Sequence, residues 1–190
     1  MRAVFLDRDG VVVHDRGGAT RELQILDGAA EALRLLSQHG YGLVLVTNQP
    51  VVARGLIDEA GLDKLHHSLG ERLIALGAPR FDGIFYCPHH PQASLPRYRM
   101  ECDCRKPKPG LLLKAASMLA IDLSHSWMVG DRASDIAAGR AAGCQTVLVQ
   151  SGRHLDPPIV GAEDLGERGA PHQVAENLLQ ASQLIVRATT

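Results

Sequence analysis

The sequence predicts an α/β protein, a three-layer α/β/α sandwich around a central, mostly parallel sheet. Three observations carry that expectation. Short apolar runs alternate along the chain with stretches of helical apolar spacing. The runs are continuous rather than alternating, as strands covered on both faces require. Three of them stop at polar residues, Asp7, Thr47 and Asp131, as strands do when their carboxyl ends frame a ligand site.

The elements follow in order. Met1 to Leu6 is the first strand, halted by Asp7-Arg8-Asp9-Gly10. Extended backbone there would turn both aspartates to one side, where their charges repel unless a cation or a shared proton intervenes. Asp-Gly is also ordinary turn chemistry, so these residues alone leave both readings open. Val13 to Ile25 is a polar loop containing Gly17-Gly18. Asp27 can cap a helix carrying Ala29, Ala30, Leu33 and Leu36, closed by Gly40. Tyr41 to Val46 is the second strand, ending in Thr47-Asn48-Gln49. A long helix from Asp58 to Leu76 sets Leu62, Leu65, Leu69, Leu73 and Leu76 on one stripe. Phe81 to Tyr86 is the third strand, Cys87 to Pro109 is irregular, and Gly110 to Leu119 is helical. Trp127 to Val129 is the fourth strand, ending in Gly130-Asp131, with a helix from Ser134 to Ala142. Thr146 to Val149 is the fifth strand. A loop covers Ser151 to Pro171, and a last helix runs from His172 to Val186. The alternation implies parallel pairing with right-handed crossovers.

A length of 190 residues suits one domain over 1–190 with a good core. Lys and Arg total 20 against 21 Asp and Glu, so no net field advertises nucleic acid or an anionic membrane. Met1 leads directly into the first strand, no signal peptide is visible, and no apolar run approaches a membrane span. Four cysteines without a secretory signal point to a reducing cytoplasm, where clustered cysteines more often hold metal than form disulfides. A monomer is expected.

Parallel strands gather their carboxyl ends at one edge, so Asp7 and Asp9, Thr47 and Asn48, and Asp131 can meet there, with Lys106 from the loop before a helix. Three carboxylates suit Mg²⁺, which prefers hard oxygen ligands. A hydroxyl, an amide and a lysine supply donors for the oxygens of a phosphoryl group. The assembly is built for phosphoryl transfer to a carboxylate, with one aspartate attacking phosphorus and another delivering a proton to the leaving oxygen. Each member alone has an ordinary explanation: Thr47, Asn48, Asp131 and Asp135 as helix caps, Lys106 as solvated charge. Their coincidence on one sheet edge is what favours chemistry.

Cys87-x-His89 and Cys102-x-Cys104 supply three thiolates and an imidazole, a closed structural Zn²⁺ set with no open position to activate water. Such a site would fold a loop, 87–104, too short to own a hydrophobic core. It ends at Arg105-Lys106, so zinc would fix both cations. His90 is the one-residue alternative to His89. Cys144, after a helix end, reads as a small buried hydrophobe.

Asp7-Arg8-Asp9-Gly10, Thr47, Lys106 and Gly130-Asp131-Arg132-Ala133-Ser134-Asp135 resemble the four motifs of the haloacid dehalogenase superfamily of phosphohydrolases. Within it, Val46-Thr47-Asn48-Gln49, Ala53-Arg54-Gly55, Cys87-Pro88-His89-His90-Pro91 and Cys102-Asp103-Cys104-Arg105-Lys106-Pro107 resemble the branch that dephosphorylates heptose bisphosphates. The likeness spans Met1 to Gly152. It implies a cytosolic, Mg²⁺-dependent enzyme acting on a small bisphosphorylated sugar for bacterial surface polysaccharide. It makes Asp7 the nucleophile and Asp9 the general acid/base. Asp7, the Asp9 backbone carbonyl and Asp131 would hold Mg²⁺, with Asp135 behind them. Thr47 and Lys106 would stabilise the transferring group. Asn48, Gln49, Arg105 and Arg132 would touch substrate, with the Asp15 to Gly18 loop nearby. Val11 replaces a usual threonine, and Pro50-Val51-Val52 replaces a segment that usually begins Ser-Gly. Other members often carry a cap domain; here Val13 to Asp27 and Cys87 to Lys106 are too short for one, so the site is expected to be open. The rival substrate is histidinol phosphate, toward which Arg132-Ala133-Ser134-Asp135 leans, whereas Ala53-Arg54-Gly55 and the His89 to Cys102 gap lean toward the heptose. A catalytically dead binding protein on the same fold is the remote alternative.

Overall fold

The computed structural model describes residues 1–14, 23–153, 155 and 170–188. Its sheet has six strands in the order β3-β2-β1-β4-β5-β6, and every pairing is parallel. β1 (Ala3–Leu6) lies between β2 (Gly42–Asn48) and β4 (Trp127–Gly130); β3 (Gly83–Cys87) flanks β2, and β5 (Gln145–Val149) and β6 (Gln173–Ala175) follow β4. The chain therefore leaves β1 toward one edge and later returns to its other side. The ends of β1, β2 and β4 become neighbours at the point where strand order reverses, the usual ligand position in an open parallel sheet.

Alternate residues of the strands feed two separate cores, as a two-residue side-chain period dictates. Val4, Leu6, Leu43, Leu45, Val129 and Val147 face α1 (Ala29–Gln38), α3 (Glu59–Ala75) and α6 (Leu178–Arg187). Ala3, Phe5, Val44, Val46 and Met128 face α4 (Gly110–Leu119) and α5 (Ala133–Ala141). This is the expected three-layer sandwich. Val11 sits wholly buried in the first core, so its replacement of a hydroxyl residue leaves no buried polar atom to satisfy.

Several local expectations are corrected. Gly28, at φ 77°, rather than Asp27, occupies the N-cap of α1, with no side-chain cap bond. Pro50–Ala53 forms a short helix, α2, with Pro50 at its first position, where the missing N–H costs nothing. Asp58, expected as the first residue of the long helix, is instead the N-cap of α3, its Oδ1 accepting from the Gly61 amide at 2.7 Å. The buried stripe of that helix is Leu62, His66, Leu69 and Leu73, the true 3.6-residue series; Leu76 falls beyond the last turn and is exposed. The segment expected to begin the last helix at His172 is instead strand β6. His172 donates its amide to the Thr146 carbonyl at 3.1 Å, and helix α6 starts only after Asn177, which accepts from the Gln180 amide at 3.0 Å. Among the described residues, no helix is long and apolar enough to cross a membrane.

Candidate active site and metal centre

Asp7 is the first residue beyond β1, and its amide continues the ladder by donating to the Val129 carbonyl at 2.9 Å. Its Oδ1 accepts from Lys106 Nζ at 2.8 Å. The same ammonium reaches Asp135 Oδ1 at 2.7 Å and the Val46 carbonyl at 2.9 Å. All three Lys106 protons are thus committed, and the side chain is 2% exposed. Burial works against its charge, but Asp135 and Asp7 overcome that and raise its pKa. Asp135, at the start of α5, turns its second oxygen to the Arg132 amide at 3.0 Å, so it braces Lys106 from behind.

Asp131, directly after β4, completes a buried cluster with Asp7 and Asp135, one carboxylate oxygen from each lying within 4.8 Å of the others. Asp131 Oδ2 accepts from the Arg153 amide at 2.6 Å, whereas Oδ1 is buried with no partner among the described residues. Burial, then the charges of Asp7 and Asp135, push the Asp131 carboxyl up to about 7. A buried carboxylate oxygen left without a donor, beside a second carboxylate, is what a hard cation would satisfy. The residues therefore fit magnesium. The loop after β5 shapes this corner: a Cβ on either Gly10 (φ 81°) or Gly152 would collide with Asp131 Oδ2, and Ser151 Oγ donates to the Gly10 carbonyl at 2.8 Å. Only glycine fits both places.

Asp9 faces a different set of partners. Arg8 donates to both of its carboxylate oxygens, at 2.9 and 3.0 Å from Nη2, and Gln49 Nε2 donates to Oδ2 at 2.8 Å. Burial raises the Asp9 pKa; Arg8 opposes the rise and Asp7 adds to it. Gln49 Nε2 also reaches Thr47 Oγ1 at 2.9 Å. Thr47 and Gln49, both buried, thus share one network with Asp9. Asn48 uses both ends of its amide on the backbone of Lys106, at 3.0 and 3.1 Å, which ties the end of β2 to the loop that delivers the lysine. Asp15 lies outside the described residues.

Cys87 closes β3, and Cys87, His89, Cys102 and Cys104 present four donor atoms within 4.8 Å of one another. Sulphur separations are 3.2 to 3.5 Å, and His89 Nδ1 lies 3.4 Å from Cys104 Sγ. A tetrahedral zinc site spaces its sulphurs about 3.8 Å apart, so the four-donor set fits zinc. His89 rather than His90 joins it; His90 Nδ1 instead accepts from the Gln92 amide at 3.1 Å. Cys144 stands apart, its thiol pushed up to about 12 by burial. The Arg105 guanidinium donates to the His89 carbonyl at 3.1 Å, so the cluster and the arginine are joined directly. The loop shares a small core with α2 and α3: Ala93 and Tyr98 pack on Val52, Ala53 and Leu62, and the Tyr98 hydroxyl donates to Glu59 at 2.7 Å.

The sequence reading overlooked Arg8, His66, Ser151, Gly152 and the Arg153 amide. Arg8 stood in view between two aspartates, and His66 interrupts an otherwise leucine-lined stripe. Gly152 and the Arg153 amide act through small size and backbone, and the Ser151 hydroxyl through a bond to a distant carbonyl, none of which residue type advertises.

Three strand ends, a lysine braced by two carboxylates and an orphaned aspartate oxygen are the arrangement of a haloacid-dehalogenase-type phosphohydrolase. The HAD-hydrolase-like family model matches residues 103–181. The chain belongs to the haloacid dehalogenase superfamily and is a phosphatase of that family. It is 44% identical over 169 residues, 85% of this chain and 86% of the other, to the D-glycero-beta-D-manno-heptose-1,7-bisphosphate 7-phosphatase of Escherichia coli (strain K12). The protein of that name from Vibrio cholerae is 47% identical over 156 residues, 80% of this chain and 83% of its own. The crystal structure of the D,D-heptose 1,7-bisphosphate phosphatase from B. bronchiseptica, complexed with magnesium and phosphate, matches with a TM-score of 0.81 at 33% identity, covering 99% of each chain.

Proposed function

We propose that this enzyme removes the 7-phosphate of D-glycero-β-D-manno-heptose 1,7-bisphosphate through a phosphoryl group carried on Asp7. The observation that carries the reaction is the convergence of Asp7, Lys106 and Asp131 at the ends of the central strands. The substrate rests on the relatives, which carry that activity in their names at 44 and 47% identity.

Asp7 is oriented by Lys106 and attacks phosphorus, forming an Asp7–phosphorus bond as the bond to the sugar oxygen breaks. Asp9 gives its proton to that oxygen. It then takes a proton from the water that attacks the aspartyl phosphate, which releases inorganic phosphate and restores Asp7. Thr47 offers a donor to the equatorial oxygens, and Lys106 does so once Asp7, bonded to phosphorus, gives up the charge that holds it. Magnesium, held by Asp7, Asp131 and the Asp9 carbonyl, would supply positive charge against those oxygens. Arg105 and Arg132, with Arg54, would form a cationic rim for the remote phosphate, while Asn48, spent on the Lys106 backbone, fixes the loop that delivers the lysine. Burial lowers the Arg105 pKa; Cys87 and Cys102 oppose the fall, and Arg54 and Arg132 add to it. A second phosphate dianion relieves that crowding. The zinc set holds Arg105 in place. Chain 1–190 acts as one domain, in the cytoplasm.

The test is a steady-state comparison of heptose 1,7-bisphosphate, the corresponding 1-phosphate and 7-phosphate, and histidinol phosphate. The bisphosphate should have the highest kcat/KM, and Arg105→Ala should erase its advantage over the 7-phosphate. A higher kcat/KM for histidinol phosphate would overturn the substrate assignment.

A further inference from the structure

Arg8 is 5% exposed, and each of its guanidinium nitrogens is engaged. Nε and Nη2 grip Asp9, Nη2 also donates to Gln49 Oε1 at 2.9 Å, and Nη1 lies 3.1 Å from His66 Nε2. A guanidinium has donors only, so His66 Nε2 must present its lone pair and the ring proton must sit on Nδ1. That Nδ1 is buried with no partner among the described residues. His66 occupies a turn of α3 where the neighbouring stripe positions are leucines, with its ring tilted against Tyr86 at 5.7 Å between centroids. Burial, helped by the charge of Arg8, pulls its pKa down to about 3, so the ring is neutral across the working pH range. Packing alone would be served better by leucine, which strands no N–H. The histidine adds one thing, an acceptor for Arg8.

We propose that His66 is a positioning residue that, by accepting from Arg8 Nη1, fixes the guanidinium against Asp9 and so aims the Asp9 carboxyl at the leaving oxygen. The proposal rests on the reading of Asp9 as proton donor. The geometry assigns the free oxygen as well. Asp9 Oδ2 accepts from Arg8 Nε, Arg8 Nη2 and Gln49, at 3.2, 2.9 and 2.8 Å, whereas Oδ1, among the described residues, accepts only from Nη2, at 3.0 Å. Oδ1 is therefore the oxygen with room for the transferred proton.

His66→Leu completes the apolar stripe and removes the acceptor; His66→Gln keeps an acceptor near the Nε2 position. On heptose 1,7-bisphosphate, whose leaving oxygen needs a proton, His66→Leu should lower kcat about tenfold or more with KM little changed. On p-nitrophenyl phosphate, whose leaving oxygen does not, it should lose less than about threefold. His66→Gln should recover most of the loss, and the melting temperature of the leucine variant should not fall. Equal losses on both substrates, no loss on the bisphosphate, or a glutamine variant no better than leucine would each overturn the proposal. Asp9→Asn run beside them separates the two levels. If Asp9→Asn loses equally on both substrates, the proton-donor reading itself fails. If it discriminates and His66→Leu does not, only the role of His66 fails. Nitrogen NMR on the native enzyme gives a readout without turnover: the His66 ring should be neutral with its proton on Nδ1, and a proton on Nε2 would refute the contact.

Discussion

Asp131 has one oxygen on the Arg153 amide and the other buried without a donor, and this single residue sets a pH dependence. Its carboxyl is raised from the ordinary 3.8 to about 7 by burial and by Asp7 and Asp135. Between those values the folded protein holds a proton that the unfolded chain has released, so the stability it contributes is present below about pH 4 and lost as pH rises through about 7. In magnesium-free buffer the melting temperature should therefore fall across that window. Asp131→Asn should flatten the fall, and added magnesium should stabilise the native protein increasingly toward neutral pH. Thermal melts in a pH series check this, and a slope unchanged in Asp131→Asn would contradict it. Asp7, Asp9 and Asp131 were legible in the sequence because each is a charged residue set at or near the end of an apolar run, and Lys106 because it directly follows the Cys-x-Cys pair in the loop before a helix. Their division of labour was not. That Asp9 pairs with Arg8, and that Asn48 holds the Lys106 backbone instead of standing free, depends on side-chain directions no spacing rule contains.

At the scale of elements, the cysteine loop is the most separable piece. Its metal set was readable from two short Cys-x-His and Cys-x-Cys pairs. Its second anchor, Tyr98 on Glu59 over Val52 and Leu62, was not, because the partners come from α2 and α3 and leave no local pattern. Two anchors imply a graded failure. Cys102→Ser should lose zinc and lower the melting temperature by roughly 5–10 °C, and should weaken substrate binding through the loss of the Arg105–His89 tether. The Tyr98 contact should keep the loop docked, so turnover at saturating substrate should survive in large part. Metal analysis, melting and kinetics on one preparation measure all three. Unchanged melting and KM after zinc loss would remove any structural role for the metal. Strand β6 shows the opposite limit of legibility: three residues of edge strand carry too little periodicity to be told from the helix that follows.

Across the whole molecule, the two cores lie on opposite faces of one sheet, and α6 closes the first of them against α1 with Leu178, Ala181 and Ile185 buried. This last helix carries none of the chemical groups of the site. Ile185→Ala should cost about 2–5 kcal/mol and lower the melting temperature by roughly 5–15 °C. Below the transition kcat and KM should be unchanged. A comparable loss of kcat would mean that the C-terminal layer reaches the chemistry. The sandwich was legible because buried parallel strands write themselves as continuous apolar runs. The order β3-β2-β1-β4-β5-β6 was not legible, since adjacency is settled by crossovers rather than by anything within a strand.

The full commitment of Lys106 also governs who may enter first. Its three protons are spent on Asp7, Asp135 and the Val46 carbonyl, and Asp131 adds a third carboxylate to the Asp7 and Asp135 cluster. A phosphate dianion arriving at that pocket alone meets net negative charge and a lysine with nothing to offer. Magnesium should therefore bind before the sugar phosphate, and initial rates with ion and substrate both varied should show an ordered pattern; a random pattern would contradict it. By the same repulsion, inorganic phosphate should inhibit only when magnesium is present.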